Sequence, residues 1–282
     1  MKEFVIESYG KINLALDVLF KREDGYHEIN SIMQQISLKD RLIFKDAKDG
    51  IIIKSNSKEI PLDSSNLVYK AWDKLIEVTG IKRGIEIEIQ KEIPVAAGLA
   101  GGSANAAATL KALNYLWDIN LCDEELMKIG KTLGADIPFC IMGGTALAQG
   151  IGERLTKLKS FSNKFVLLGN PGIGISTAHA YSILKINENK RLDINSIISY
   201  MEKEDLMGVA SLLGNSMEEP IIKEYPIIKE IKDMMLEYGA LGSMMSGSGS
   251  TVFGIFDDEE KMSFAKIKLS KIIPKVYSAI TI

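Results

Sequence analysis

The chain has 282 residues, 46% of them hydrophobic and 25% charged, with a net charge of -3. That is the composition of a globular protein, long enough for one large domain or two of ordinary size. The mild acidity excludes a bulk electrostatic pull on phosphate backbones, so no nucleic-acid partner is expected.

In chain order, "FVIESYGKINLALDVL" alternates and is rich in large apolar residues, which predicts a strand. "RLIFKDAKDGIIIKS" reads as two strands with a "KDG" turn between them, a hairpin signal. "NLVYKAWDKLIEVTG" places Leu67, Ala71, Leu75 and Val78 at helical spacing, with Gly80 as its stop. "GIEIEIQKEIP" alternates cleanly: Ile85, Ile87 and Ile89 face one way and Glu86 and Glu88 the other, a half-buried strand. "SANAAATLKALNYLWD" carries a helical stripe of Ala107, Leu110, Leu113 and Trp117. A second part begins within 150–164. There "KFVLLGNPG", "STVFGIF" and "KVYSAITI" read as strands, and 194–213, 221–238 and 259–273 as amphipathic helices. Both parts mix strands and helices, which favours α+β over a doubly wound sheet, with 1–155 and 156–282 as the expected domains.

Cys122 and Cys140 are the only cysteines, neither in a CxxC nor near a histidine at metal-ligand spacing, so two buried reduced thiols are expected. "MKEFVIESYG" has no apolar signal core, and the longest apolar run, "IPFCIMGGTALA", is too short and too broken to span a bilayer. A cytoplasmic protein without a membrane partner is expected. Lys-rich stretches such as "EIKDMMLEYG" are interrupted by Asp and Glu and read as solvated helix faces.

The most informative stretch is 94–107, "PVAAGLAGGSANAA", with three glycines, six alanines and no charge, between a predicted strand and a predicted helix. Helix N-terminal amides lack intrahelical partners, the helix dipole is positive there, and glycine lets backbone approach a ligand closely. That combination makes an anion site, typically for phosphate. A tight turn with close helix–sheet packing is the alternative. It is neither a GxxxxGK[ST] loop nor a GxGxxG fingerprint. Ser103 is expected to cap the helix and could offer its hydroxyl to phosphate or metal.

Other stretches add chemistry. Asp136 in "LGADIPFCIMGG" is a carboxylate in apolar sequence, hence paired, functional or a cap. Lys11 and Asn13 in "YGKINLALDV" share one strand face, and Lys11 is either functional or an edge-strand lysine. "REDGYHEI" puts Tyr26 and His27 in a turn, a ligand wall or simply a turn. "MSGSGSTVFGIF" is a second glycine-rich turn, running into a strand.

Taken together, "PVAAGLAGGSANAA", the N-terminal lysine strand and the C-terminal "SGSG" loop resemble the three motifs of the GHMP kinase superfamily, which includes galactokinase and the homoserine, mevalonate and phosphomevalonate kinases. "KINLALDV", "REDGYHEI" and "LGADIPF" resemble the branch acting on a cytidine-diphosphate-linked methylerythritol in the non-mevalonate route to isoprenoids. The resemblance runs from about residue 8 to 256. It implies an α+β, two-lobed fold, with a ribosomal protein S5 domain 2-like N-terminal lobe and a ferredoxin-like C-terminal lobe. It implies ATP and Mg2+, a small-molecule substrate, and a monomer or homodimer.

Residue by residue, the resemblance makes Asp136 the catalytic base and Lys11 its charged partner. Pro94, Val95, Ala96, Ala97, Gly98, Leu99, Ala100, Gly101, Gly102, Ser103 and Ala104 match the ATP phosphate loop, and Asn66, Lys91 and Asn105 match nucleotide contacts. Asn13, Tyr26 and His27 match the site for the cytidine end, with Thr177 and Tyr181 closing over the cytosine ring. The implied arrangement stacks the ring between Tyr26 and Tyr181, with His27 at its edge. Mg2+ would arrive on ATP, with Ser103 as its contact and no other metal site. Ala100 stands where many relatives have Gly and Ala104 where many have Ser, so position 104 offers no hydroxyl. His179 is given no role. The alternatives are another superfamily kinase, acting on homoserine, mevalonate or a sugar, or a catalytically silent binder on the same fold.

Overall fold

A computed structural model describes residues 3–187 and 191–282. The chain divides into two units, each discontinuous in sequence: Met1–Gly10, Lys39–Val95 and Ala100–Gly143 in the first, Lys11–Leu38, Ala96–Leu99 and Gly144–Ile282 in the second. The long strands β1 (Phe4–Lys21) and β2 (His27–Ala47) run through both.

The first unit continues with β3 (Ile51–Ser55), α1 (Leu67–Thr79), β4 (Gly84–Gln90), α2 (Gly101–Leu116), α3 (Asp123–Lys131) and α4 (Ile137–Met142). The boundaries of α1 follow from its caps. Asn66 accepts the Val68 N–H, and Gly80 takes the left-handed conformation, φ 71°, that ends a helix without Cβ strain. The expected hairpin between β2 and β3 does not form, although both strands and the turn are present. β4 lies between them, antiparallel to β2 from Arg41↔Gln90 to Ala47↔Gly84 and parallel to β3 from Ile51↔Ile85 to Ser55↔Ile89. Gly84 makes this possible: a Cβ there would overlap the Ala47 carbonyl oxygen and sit 2.6 Å from the Asp49 nitrogen. Without a side chain, β4 can start tight against the turn, and Ile85 donates to the Gly50 carbonyl at 2.9 Å. The alternation read from the sequence holds. Ile85, Ile87 and Ile89 are buried with Ala71 and Leu75 of α1 and with Ala107, Leu110 and Leu113 of α2.

The second unit holds β5 (Thr145–Gly150), β6 (Arg154–Lys157), β7 (Phe165–Asn170), α5 (Thr177–Ile183), α6 (Ile194–Glu202), α7 (Leu206–Ser211), β8 (Gly214–Asn215), α8 (Glu218–Glu224), α9 (Ile227–Glu237), β9 (Gly242–Met245), β10 (Val252–Phe256), α10 (Glu259–Leu269) and β11 (Lys275–Ile280). β5 pairs with the first half of β2 and with β6, and the two-residue β8 runs parallel to β1 at Ala15 and Leu16. The order β11-β7-β10-β9 makes a four-stranded antiparallel sheet. Leu167, Val252 and Phe256 of this sheet share a core with Ile228, Ile231 and Met235 of α9 and Met262 and Leu269 of α10.

Two of the expected helices are each broken in two. In 194–213, Glu204 turns left-handed at φ 59° and Asp205 starts a new helix by accepting the Gly208 N–H. In 221–238, Pro226 has no N–H to give and holds Tyr225 extended, so α8 stops there. No helix among the described residues is long and apolar enough to cross a membrane. Cys122 is exposed and Cys140 partly so, contrary to the expected pair of buried thiols; Cys122 directly precedes the surface helix α3, and nothing covers it as a core position would be covered.

Candidate active site

The glycine stretch folds as a tight loop into α2. Ala96, Gly98 and Ala100 all have positive φ, at 50°, 75° and 56°. Within the second unit, three consecutive loop carbonyls are occupied. Ala97 accepts from the Thr251 N–H at 3.3 Å, Gly98 from the Ser246 hydroxyl at 2.9 Å and Leu99 from the Lys11 N–H at 3.1 Å. In a trans peptide the C=O and the following N–H point opposite ways. Fixing these carbonyls therefore turns the N–H groups of Gly98, Leu99 and Ala100 away from the strands and the turn that hold them. A run of outward amides at a helix start is the geometry that binds an anion.

The two glycine motifs meet in this unit. A Cβ on Gly98 would overlap the Ser246 carbonyl oxygen, and one on Gly247 would lie 3.0 Å from the Gly98 oxygen. Gly247, at φ 55°, and Gly249, at φ 87°, shape the turn between β9 and β10. "SGSG" is thus a buttress against the loop as well as a turn.

Lys11 is only 5% exposed and Asn13 1%, which replaces the edge-strand reading of Lys11 with a buried one. The Lys11 ammonium donates to Asn13 Oδ1 at 2.7 Å, Asn13 Nδ2 to Ser31 Oγ at 2.8 Å, and Ser31 to the Ala15 carbonyl at 2.6 Å. This relay fixes the lysine head group. His27 and Tyr181 stack directly, with centroids 4.4 Å apart and planes 13° from parallel. Tyr26 is 59% exposed, and the Tyr181 ring lies on the histidine. Burial, and then the charge of Lys21, lower the His27 pKa from the usual 6.5, so the ring is neutral at pH 7 and offers both a donor and an acceptor. The Thr177 hydroxyl, at the first position of α5, lies 3.3 Å from that of Ser248. His179 faces Glu224, with Nε2 to Oε2 at 2.8 Å.

In the first unit, α2 begins at Gly101, three residues earlier than a Ser103 cap requires. Ala100 occupies the cap position in left-handed conformation and gives no side-chain bond, so Ser103 sits in the first helical turn, partly exposed. Asn66 is committed to capping α1 and also donates to the Pro61 carbonyl at 2.6 Å. Asn105 accepts from the Ser8 hydroxyl at 2.9 Å. Lys91 is buried in an ion pair with Asp40, which also accepts the Glu92 and Ile93 N–H groups at 2.8 and 2.9 Å. Asp136 stands at the N-cap of α4 without making a side-chain cap bond, so capping does not explain it. Of the metal donors, Ser103 offers one hard oxygen in the first turn of α2. That fits a Mg2+ whose other ligands are phosphate and water.

Asp40, Ser31 and Ser246 escape a reading from sequence. Asp40, in "LKDRL", sits between Lys39 and Arg41 and so reads from sequence as one of a run of solvated charges. The two serines carry no signal of their own, because their bonds reach partners 16 and 148 residues away.

The chain matches the model of the GHMP kinases N terminal domain over residues 66–144 and that of the GHMP kinases C terminal over 197–274. It is 48% identical over 280 residues to a 4-diphosphocytidyl-2-C-methyl-D-erythritol kinase of Alkaliphilus oremlandii, covering 98% of this chain and 96% of that one. Identity to the protein of the same name from Acetivibrio thermocellus is 46% over 266 residues, 94% of each chain. A crystal structure of 4-(cytidine 5'-diphospho)-2C-methyl-D-erythritol kinase aligns with a TM-score of 0.85 and 31% identity over 99% of both chains. A homoserine kinase from Cytophaga hutchinsonii, 20% identical with a TM-score of 0.77 over 98% of this chain and 95% of that one, is alike in fold alone.

Proposed function

Because the chain belongs to the 4-diphosphocytidyl-2-C-methyl-D-erythritol kinases among the GHMP kinases, we infer that it transfers the γ-phosphoryl group of ATP to the 2-hydroxyl of that cytidyl alcohol. One observation carries the phosphate half of this reading: the carbonyls of Ala97, Gly98 and Leu99 are bound, and peptide planarity then turns the amides that follow them away from the groups that hold those carbonyls.

Phosphoryl transfer asks for positioning and charge stabilisation more than for covalent chemistry. Pro94 to Ala104 are the proposed ATP loop, with the amides after residues 97, 98 and 99 offered to phosphate oxygens. Asn66, Lys91 and Asn105 complete the nucleotide assignment, each fixed by the bonds described above. Ser103 is the proposed protein contact for Mg2+ carried on the triphosphate, which would offset the charge of the phosphates. Asp136 is the proposed base: it takes the proton of the 2-hydroxyl as that oxygen bonds to the γ-phosphorus and ADP leaves. Lys11 is its proposed charged partner, oriented by Asn13. Asn13, Tyr26, His27, Thr177 and Tyr181 are proposed to bind the cytidine end. A neutral His27 can read the mixed donor and acceptor edge of cytosine, and a site built on such bonds rejects alcohols lacking the base.

The test is ATP consumption with Mg2+ against the cytidyl alcohol, mevalonate, homoserine and galactose. Turnover confined to the cytidyl alcohol is expected, and turnover with another alcohol instead overturns the assignment. Asp136→Ala is expected to lower kcat by a factor of about 10^2–10^4 with ATP binding retained. Near-normal turnover in that variant removes Asp136 from the role of base.

A further inference from the structure

The turn of residues 246–249, which buttresses the phosphate loop, is itself held from behind. The holder is Asn215 in β8. Its Nδ2 donates to two carbonyls, Met245 at 2.9 Å and Gly247 at 2.8 Å, and its Oδ1 accepts the Met217 N–H at 2.9 Å. Two carbonyls on one side of the amide and an N–H on the other fix its orientation without ambiguity. Glu218, at the start of α8, takes the Met245 N–H at 2.8 Å and is in turn ion-paired with Lys232. The peptide groups on both sides of Met245, and the carbonyl of Gly247, are therefore gripped by one short segment, "GNSMEE".

That segment is tied to β1. β8 pairs with Ala15 and Leu16, Ser216 donates its N–H to the Leu16 carbonyl at 2.9 Å, and its hydroxyl reaches the buried Asp17 at 3.0 Å. The contacts close a circuit inside the second unit. β1 holds β8, Asn215 of β8 holds Gly247, Ser246 and Gly247 hold Gly98, and the next residue, Leu99, accepts the N–H of Lys11 back on β1. Every link is a hydrogen bond or a contact too close for a side chain. The position of the loop amides relative to the lysine strand is set by this ring, and Asn215 is its one side-chain clamp on two carbonyls.

We propose that Asn215 is a positioning residue for ATP, fixing the phosphate loop through the turn of residues 246–249 without touching nucleotide. The inference rests on the assignment of residues 94–104 as the phosphate loop. Asn215→Asp is the sharpest probe. It keeps the shape and the Oδ1 acceptor for Met217, but it replaces two donors with an oxygen facing two carbonyl oxygens. Ser246→Ala probes the next link by removing only the hydroxyl bonded to Gly98.

The experiment measures, on the full chain, ATP affinity by calorimetry without the alcohol, the KM of each substrate, and the melting temperature. For Asn215→Asp, the KM and Kd of ATP are expected to rise about tenfold, while the KM of the cytidyl alcohol stays within about twofold. Ser246→Ala is expected to show the same selectivity at about threefold. A melting temperature that falls with ATP affinity unchanged, or both KM values rising together, means a merely structural asparagine and overturns the proposal. Should Asn215→Asp fail to fold, Ser246→Ala decides alone by the same criterion. A wild-type chain that binds ATP but turns over none of the alcohols overturns the substrate assignment, while the binding data still judge Asn215. A wild-type chain that does not bind ATP overturns both.

Discussion

Replacing Gly98 by alanine should damage the phosphate loop more than any other small change in "GLAGG". The backbone there has φ 75°, a conformation that costs an L-residue about 1–2 kcal/mol. The added Cβ would also overlap the Ser246 carbonyl oxygen, stand 2.9 Å from its carbon and 3.2 Å from the Gly249 nitrogen. Those neighbours are backbone, gripped by Asn215 and by the Ser246–Thr251 hydrogen bond, and they have no flexible end that can move aside. Overpacking of this kind costs about 1–3 kcal/mol more. The sum, about 2–5 kcal/mol, corresponds to a fall in melting temperature of roughly 4–20 °C at about 2–4 °C per kcal/mol. The loop must also shift to relieve the overlap, so the KM of ATP should rise in the surviving protein. Gly102→Ala is the internal control. It lies inside α2, and its Cβ would meet only Leu67 Cδ1, at an ordinary 3.6 Å. Alanine there should stabilise by about 0.5–1 kcal/mol through helix propensity. Thermal melts and ATP titrations of the two variants check the contrast. Equal melting temperatures, or a Gly98→Ala variant with wild-type ATP affinity, would refute the claim that backbone contact with the second glycine turn shapes the loop.

Lys91→Met should cost about 3–5 kcal/mol, because it strands the fully buried Asp40 without its ion-pair partner. Adding Asp40→Asn should recover most of that stability in denaturant melts, since the amide oxygen can still accept the Glu92 and Ile93 N–H groups, but the KM of ATP should stay raised where the lysine is lost. Tyr181→Ala should raise the KM of the cytidyl alcohol well above its effect on ATP, and Tyr181→Phe, which keeps the ring stacked on His27, should restore most of it in steady-state assays. The lowered pKa of His27 means that folding favours its neutral form, so its contribution is present above the usual 6.5 and is lost as pH falls through the lowered folded value. Denaturant melts at pH 7.5 and 5.5 should show that loss, and His27→Gln should flatten it.

What was legible in the sequence is what depends on near neighbours. Asn66 and Gly80 mark the ends of α1 because a cap is a contact two to four residues long. The isoleucines of β4 mark a buried face because pleating alone sets their period. The break at Pro226 was equally local, and the helical period of the flanking residues masked it. The insertion of β4 between β2 and β3 was not local at all. The sequence shows a turn and two strands, but which strand pairs with β2 depends on Gly84 clearing the Ala47 carbonyl from the far side of α1. Ser103 was misplaced as a cap for a related reason. Cap preference counts side-chain oxygens, whereas α2 starts three residues earlier on a left-handed Ala100 that supplies none.

The candidate site divides along the same line. The small-residue loop announces itself by composition, yet composition does not rank its glycines. Gly98 and Gly102 are the same residue four positions apart. One has a backbone carbonyl where its side chain would be, and the other has a leucine methyl at van der Waals distance. The difference is made by Ser246, whose own position is made by Asn215 and, behind it, by β1. A motif read along the chain therefore finds the proposed phosphate loop. The residues that hold it rigid are found only where the chain returns, and a substitution in that backing should reach ATP affinity without touching the motif.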